Sequence, residues 1–218
     1  MLEPVDGSNK QGWQNPEKSI EHPTTIKYPH MEQVKRFLQG THAFQQLEVA
    51  MPHREIMTEM LAIRSLARDI EAPHSRGWSR LVLYGHGLHE HRSFRDYTAP
   101  WQGYDRHYRW SDEIREQIPH TRRFFRTFTP FPHLRRIRLQ WLEPGGHILP
   151  HTDPLGGVDR RVSVNIAVNN PPGCEMHFGD HRVPFQPGTA FMIDPTQEHQ
   201  VHNQSSQARA HLLLDGAT

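Results

Sequence analysis

The sequence predicts a mainly β protein with N-terminal helices, which back a jelly-roll barrel of the cupin-like, double-stranded β-helix type. Two observations lead to this prediction. About eight short strand-like segments, separated by turns rich in Gly, Pro and Asn, follow one another between residues 136 and 218 with no helical pattern between them. The clear helical patterns all lie upstream, which indicates a helical layer packed on a β layer.

The chain of 218 residues is long enough for one domain with a sizeable core, and we expect a single domain overall. Residues 1–30 are polar and contain four prolines, which predicts an irregular N-terminal arm. Residues 31–135 are predicted to form a helical layer with a short strand, packed on the barrel. Residues 136–218 are predicted to form the jelly-roll catalytic core.

Within the helical layer, apolar residues at helical spacing predict helices over 31–38 and 54–68. Ser111 is a good N-cap, which predicts a short helix to about Ile118, and another helix is expected over 122–128. The short strand is expected at 78–84. The region from His86 to Trp110 is dense in aromatic and basic residues without a clear period, and we interpret it as packing against the barrel rather than as a substrate-facing loop.

The last part of the chain carries the strand patterns. Alternating or apolar runs between turn residues predict strands over 136–142, 147–151, 161–168, 174–178, 182–185, 189–194, 199–202 and 208–214. In such a barrel one face of each strand is buried, and the mouth stays open for a ligand.

Composition restricts the class of partner. Lys plus Arg is 25 and Asp plus Glu is 24, a formal net charge of +1, so we expect neither nucleic acid nor membrane as a partner. Cys174 is the single cysteine, which excludes a disulfide within the chain. The N-terminus has no signal-peptide pattern, and a cytoplasmic location is expected. Oligomeric state is not predicted.

A metal site is predicted around the stretch that ends in His151-Thr152-Asp153. Residues two apart on a strand point to one face, so His151 and Asp153 can hold adjacent positions on one ion. Two histidines and one carboxylate are typical of non-haem Fe(II). The third ligand is expected to be His199, 48 residues after His151. His202, at an odd offset from His199, is the fallback, and His211 is a third candidate.

A cosubstrate anchor is predicted at Arg209, which begins the last strand. Its planar guanidinium suits bidentate pairing with the far carboxylate of a diacid such as 2-oxoglutarate, although an arginine in a Ser- and Gln-rich loop can also lie on the surface. We expect further cofactor contacts from Asn165, Ser163 and Gln140. Arg160, Arg161 and His86 are candidates for binding a substrate, which is expected to be a small molecule or a peptide.

These residues leave three functions open. The first is an Fe(II)- and 2-oxoglutarate-dependent dioxygenase, in which the metal ligands are the only predicted catalytic residues. The second is a cupin-type metalloprotein without 2-oxoglutarate, either an isomerase or another dioxygenase. The third is a non-catalytic binding barrel. The ordered set of His151, Asp153, His199 and Arg209 favours the first.

The C-terminal part resembles the aspartyl/asparaginyl β-hydroxylase family of Fe(II)/2-oxoglutarate oxygenases, which includes bacterial proline hydroxylases. The matching segments are "EPGGHILPHTD", "NPPGC", "PGTAFMIDPTQEHQVHN" and "ARAHLLLD". The resemblance implies iron on His151 and His199, 2-oxoglutarate on Arg209, and hydroxylation of an unactivated C–H bond, with O2 consumed, in an amino acid or amino-acid residue.

The chain departs from the β-hydroxylases of this family at two places. They have glycine where this chain has Asp153, so the complete triad here looks more like that of the amino-acid hydroxylases. They also carry an Arg-x-His pair where this chain has Ser163 and Asn165. A shared substrate is therefore not implied.

Overall fold

The computed structural model describes residues 29–89, 108–153 and 162–217. Three α-helices lie in the described part: α1 (Pro29–Gln39), α2 (His53–Ala62) and α3 (Pro119–Phe124). A single 3-10 turn, Arg64–Leu66, follows α2. The strands are β1 (Phe44–Leu47), β2 (Arg68–Asp69), β3 (Ser75–Gly85), β4 (Arg109–Trp110), β5 (His133–His151), β6 (Ser163–Asn169), β7 (Cys174–Phe178), β8 (His181–Arg182), β9 (Ala190–Ile193), β10 (His199–Asn203) and β11 (Arg209–Ala217).

The strands form one curled antiparallel sheet, which confirms the jelly-roll prediction. Its main path runs β1-β9-β6-β11-β5-β10-β7-β8, and β3 pairs with the other edge of β5. The long strand β5 bends at Pro144–Gly146, so that its first half pairs with β11 and its second half pairs with β10. A Cβ on Gly146 would lie 2.7 Å from the carbonyl oxygen of Glu143, so the bend requires glycine there.

The two faces of the sheet have separate cores. The outer face packs against the helices, with Ile137, Leu139, Val164, Ile166 and Leu212 among the buried side chains of this larger cluster. The inner face lines the barrel with a smaller cluster that includes Leu142, Met176, Phe185, Phe191 and Val201. Alternation along β5, β6 and β11 therefore sends one set of side chains to the helices and the other into the barrel.

A buried carboxylate joins the helices. Glu59 of α2 accepts hydrogen bonds from the backbone N–H groups of His120 (2.5 Å) and Thr121 (2.9 Å) and from the Thr121 hydroxyl (2.6 Å). These donors belong to the first turn of α3, whose N–H groups have no partner within the helix. Glu59 thus replaces a local cap, and the position of α3 depends on α2.

Several local predictions need correction. The 111–118 segment forms turns rather than a helix, because Ile114 and Arg115 both bond back to Ser111 and no regular ladder continues. Helix α2 ends at Ala62, six residues earlier than expected, where the chain tightens into the 3-10 turn. The strand predicted over 182–185 is shorter and begins one residue earlier, as β8 at His181–Arg182.

The region 31–135 also contributes more β structure than one short strand. β1 extends the sheet beside β9, and β3 runs along β5 on its other edge. β3 spans 11 residues because it follows both halves of the bent β5. The predicted boundary at residue 135 falls inside β5, so the sheet continues across it. The region 31–135 therefore contributes strands to the barrel sheet as well as helices that pack on it.

The ends of the strands define two ends of the barrel. β6 begins where β9 and β11 end, and a five-residue link leads from β9 to the start of β10. Asp153 N–H donates to Pro195 O in that link at 2.8 Å, so the end of β5 meets the end of β9. The opposite end holds the start of β11, where Arg209 lies opposite Leu142 at the bend of β5.

In the described residues, no helix has both the length and the apolar character that crossing a membrane requires. The predicted arm at 1–30 lies almost entirely outside the described residues.

Candidate metal centre

Two histidines meet across neighbouring strands at one end of the barrel. His151 ends β5, His199 begins β10, and the two are direct partners in the antiparallel register. Their ring centroids are 4.3 Å apart. Antiparallel pairing therefore joins residues that are 48 positions apart in sequence.

Asp153 completes the group. Its Oδ1 lies 3.8 Å from His151 Nε2, and one ligand atom from each of His151, Asp153 and His199 lies within 4.8 Å of the others. The Asp153 side chain is 36% exposed and that of His151 is 18% exposed, while His199 is buried. In the described residues this is the one group of three or more His, Cys, Asp or Glu side chains close enough to hold an ion.

Backbone carbonyls orient both imidazoles. Nδ1 of His151 lies 2.9 Å from Leu149 O, and Nδ1 of His199 lies 2.9 Å from Gln197 O. A carbonyl oxygen only accepts, so each Nδ1 carries the hydrogen and each Nε2 keeps its lone pair. This second contact is typical of histidines that bind metals. The donor set, two Nε2 atoms and one carboxylate, fits the requirements of Fe(II).

Aromatic rings border the group. His74, in the turn before β3, stacks on His151 with 4.5 Å between ring centroids and 27° between planes. The Phe178 ring lies 5.4 Å from that of His199. Partial burial lowers the pKa of His74, the positive charge of a protonated His151 lowers it further, and the Asp153 carboxylate acts in the opposite direction.

Arg209 lies at the other end of the barrel, and it is buried, with 3% of its surface exposed. Among the described residues no carboxylate lies within ion-pair distance of its guanidinium. Burial lowers its pKa to about 10, an effect that negative charge on the Cys174 sulfur partly offsets, and the group remains a cation at neutral pH. The ring of Phe185 lies 6.0 Å below it.

Neutral polar side chains surround Arg209. Its Nη2 is 2.8 Å from His211 Nδ1, and the same nitrogen of His211 is 2.8 Å from Asn165 Oδ1. His211 Nε2 lies 3.2 Å from Asn170 Oδ1. Burial first, and then the charge of Arg209, hold the pKa of His211 well below its usual range. The predicted cofactor residue Asn165 thus lies in the Arg209 group.

The other predicted cofactor residues lie elsewhere on the inner face. Ser163 donates to Asp215 at 3.1 Å, and Arg136 and Arg138 donate to the same carboxylate at 2.7 and 2.9 Å. This buried cluster belongs to the metal end of the barrel, because Ser163 begins β6 and pairs with Ile193. Gln140 is buried and faces His211 in the register of β5 and β11.

The alternative third ligands lie outside the metal group. His202 is on the outer face of β10, where its Nε2 is 2.9 Å from Gln200 Oε1. His211 contacts Arg209 at the far end of the barrel. His86 follows β3, with its ring 4.4 Å from that of Tyr108. Arg160 and Arg161 lie outside the described residues.

Sequence reasoning missed three features of the site: the Arg136–Arg138–Asp215 cluster, the stacking of His74 on His151, and the contact of His211 with Arg209. The first had a signal, since Arg136 and Arg138 are charged residues at alternate positions of a strand flanked by apolar ones. For His211 the sequence indicated only a face shared with Arg209, because the two residues are two apart on one strand, and it gave no sign of the hydrogen bond. The position of His74 in a turn left no such signal.

Comparison with known proteins identifies the family. A sequence model of the aspartyl/asparaginyl beta-hydroxylase family matches residues 47–218. A search of curated protein sequences found no match.

Solved structures match the fold. A Pseudomonas putida prolyl-4-hydroxylase is 14% identical with a TM-score of 0.50, and the alignment covers 87% of this chain and 97% of that one. A Trichoplax adhaerens prolyl hydroxylase, in complex with a peptide of hypoxia inducible factor, is 11% identical with a TM-score of 0.50, covering 88% and 94%. The α-ketoglutarate-dependent epimerase SnoN of nogalamycin biosynthesis is 10% identical with a TM-score of 0.50, covering 87% and 84%.

The family match, the barrel and the histidine–carboxylate group agree on one enzyme class, the dioxygenases that use Fe(II), 2-oxoglutarate and O2. The chain belongs to the aspartyl/asparaginyl β-hydroxylase family.

Proposed function

We propose that this protein hydroxylates an unactivated C–H bond of an amino acid or of an amino-acid residue. His151, Asp153 and His199 hold Fe(II), and Arg209 holds the far carboxylate of 2-oxoglutarate. Strands 136–218 supply this catalytic core, and the upstream residues complete the sheet.

The observation that carries the proposal is the buried Arg209. Taking an ionised side chain out of water costs several kcal/mol, roughly, unless an opposite charge compensates it. The described residues place no carboxylate against this guanidinium. A bound diacid would provide the missing anion, and the bidentate geometry of arginine suits it. A cupin-type enzyme without 2-oxoglutarate, or a barrel without catalysis, gives no reason for this cation.

The position of Arg209 relative to the metal group supports one shared ligand. His199 begins β10, and Asn203 ends it beside the bend of β5, where its amide donates to Leu142 O at 2.9 Å. Four residues of strand separate these levels, roughly 13 Å. Leu142 also faces Arg209 in the register. The two groups therefore lie toward opposite ends of the inner face, and one keto diacid bound between them would contact both.

The protein contributes binding, orientation and a dry cavity. When bound, Fe(II) and 2-oxoglutarate supply the oxidising power to insert one atom of O2 into a C–H bond, with succinate and CO2 as coproducts. The Leu149 and Gln197 carbonyls keep the Nε2 atoms directed at the metal position. Met176, Phe185 and Phe191 belong to the buried apolar cluster of the inner face, which would keep water away from the bound cosubstrate. Asn165 joins the cosubstrate group, Gln140 lies next to it opposite His211, and Ser163 remains a candidate contact at the metal end of the barrel.

The class of substrate rests on the family and on what its members are named for. The family is named for aspartyl and asparaginyl residues, and two structural neighbours are named as prolyl hydroxylases. His86, Arg160 and Arg161 remain candidates for contacting the substrate. A free amino acid and a peptide are both compatible with this proposal.

The proposal predicts amino-acid-stimulated turnover. The purified protein with Fe(II), 2-oxoglutarate and O2 is screened against free amino acids and short peptides, and succinate release and product mass are measured. We expect at least one compound to stimulate succinate release and to gain one oxygen atom. Arg209→Ala should remove this activity, whereas Arg182→Ala, an exposed arginine paired with Glu175, should retain it. Iron-independent turnover, or full activity of Arg209→Ala, would contradict the proposal.

A further inference from the structure

His211 is a buried histidine with no role in the metal group. It is fully buried, its ring packs edge-on against Phe185 with 4.7 Å between centroids, and its Nδ1 lies 2.8 Å from Arg209 Nη2. The described contacts of its two ring nitrogens are with Arg209, Asn165 and Asn170. All three are at the cosubstrate end of the barrel.

The hydrogen-bond pattern fixes which nitrogen of His211 carries the hydrogen. The amide of Asn170 donates to Cys174 O at 3.0 Å, which leaves its Oδ1 directed at His211 Nε2. Nε2 must therefore donate, and in a neutral imidazole Nδ1 then keeps a lone pair. That lone pair accepts from Arg209 Nη2. Because a guanidinium only donates, the 2.8 Å contact with Arg209 requires the lone pair on Nδ1, and the Asn165 amide, also 2.8 Å away, then presents its nitrogen rather than its oxygen to Nδ1.

We propose that His211 is a positioning residue, which orients the Arg209 guanidinium toward a bound dicarboxylate by accepting a hydrogen bond from Nη2. The inference rests on the proposed function, because it requires Arg209 to bind the far carboxylate of 2-oxoglutarate.

A neutral acceptor suits this task better than a carboxylate. An aspartate or glutamate at this position would fix the guanidinium but would also cancel its charge and compete with the ligand. A neutral imidazole uses one of the five N–H donors of arginine and leaves the others available to the ligand. The lowered pKa of His211, caused by burial and by Arg209, agrees with this neutral form.

Binding measurements on two His211 variants test the role. Isothermal titration of 2-oxoglutarate into the Mn(II)-loaded, full-length protein gives Kd without turnover. We expect His211→Leu to weaken binding about 10-fold, as for loss of a hydrogen bond to a charged group. His211→Gln, whose amide can accept from Arg209 and donate to Asn170, should recover most of the affinity. His202→Leu, on the outer face of β10, is the control and should bind normally.

A structural defect would have a different signature. 2-Oxobutyrate lacks the far carboxylate, so its affinity should be the same in wild type and His211→Leu. In an Arg209→Met background, His211→Leu should cause no further loss of 2-oxoglutarate binding. Equal losses for both keto acids, or an undiminished loss in the Arg209→Met background, would overturn the inference. If His211→Leu fails to fold, His211→Asn, whose shorter amide cannot reach both partners, is used with the same criteria.

The same titrations separate this inference from the function it rests on. If Arg209→Met binds 2-oxoglutarate as tightly as wild type, the proposed function fails. If Arg209→Met loses binding but His211→Leu does not, the proposed function stands and the positioning role is wrong.

Discussion

The two ends of the barrel differ in the charge and the solvent exposure of their polar groups. At the metal end, His151 and Asp153 are partly exposed, and backbone carbonyls hold His151 and His199 so that their lone pairs converge. At the far end, Arg209 is a buried cation surrounded by neutral side chains. We propose that the first group binds a cation and that the second binds an anion.

This difference supports the proposal that one ligand with two unlike ends binds to both groups. Water reaches the partly exposed donors of the metal end, so those groups are stable without a ligand. Arg209 is almost fully shielded from water, and an apolar side chain in its place would cost less to bury. Buried charge without compensation is thus the stronger functional signal of the two.

Loss of one imidazole at the metal end should have the largest effect. In His199→Ala, two of the three ligands remain. Removing a residue that only hydrogen-bonds to a metal ligand usually weakens metal binding about 10- to 100-fold, so loss of a ligand itself should weaken it more than about 100-fold. Fe(II) binding and succinate release are the measurements, with His202→Ala as the control. Unchanged metal affinity in His199→Ala would show that the histidine–carboxylate group is not the metal site.

Replacement of Asp153 by glycine tests whether this end needs its carboxylate. The β-hydroxylases that this family is named for have glycine at this position. Asp153 is the one anion of the described metal group, so Asp153→Gly should weaken Fe(II) binding by about 10-fold or more. The activity at saturating Fe(II) is measured beside the affinity. If both are retained, the carboxylate is dispensable and the site works with two histidines.

Removal of the charge at the other end should stabilise the protein while it removes function. Burial costs Arg209 part of its hydration, so Arg209→Met should raise the free energy of unfolding by about 1–3 kcal/mol. The matched change Arg136→Met should lower it, because Asp215 would lose a buried partner at 2.7 Å. Urea unfolding without ligand measures both. If Arg209→Met were less stable than wild type, the charge of Arg209 would be compensated within the protein, and this end of the barrel would not need a bound anion.

A smaller effect concerns pH at the same end. The pKa of His211 lies well below its usual value of 6.5 in the folded protein, so below pH 6.5 the unfolded chain takes up a proton that the folded chain does not. The free energy of unfolding should therefore fall as the pH is lowered from 6.5, by about 1.4 kcal/mol per pH unit from this residue. Wild type and His211→Gln are compared by urea unfolding between pH 7 and 5. Parallel pH profiles would show that His211 titrates normally.

More of the barrel than of the candidate site could be predicted from the sequence. Period-2 alternation and turn residues between Arg136 and Leu214 were enough for the strands, since local patterning determines them. The grouping of His151 with His199 followed from strand parity and order. The partners of Arg209 did not follow, because two-residue spacing to His211 shows a shared face but not a shared hydrogen bond. The long β3 was underestimated, because its length depends on the bend of β5, a tertiary feature with no local signal.

The central claim is that one molecule of 2-oxoglutarate binds both ends at once. Titration of three ligands into wild type, His199→Ala and Arg209→Met, with Mn(II) present, tests it most directly. Binding of 2-oxoglutarate should weaken in both variants. Binding of 2-oxobutyrate should weaken only in His199→Ala. Binding of glutarate, which lacks the keto acid group, should weaken chiefly in Arg209→Met. Undiminished binding of 2-oxoglutarate to Arg209→Met, with normal loss in His199→Ala, would contradict the claim.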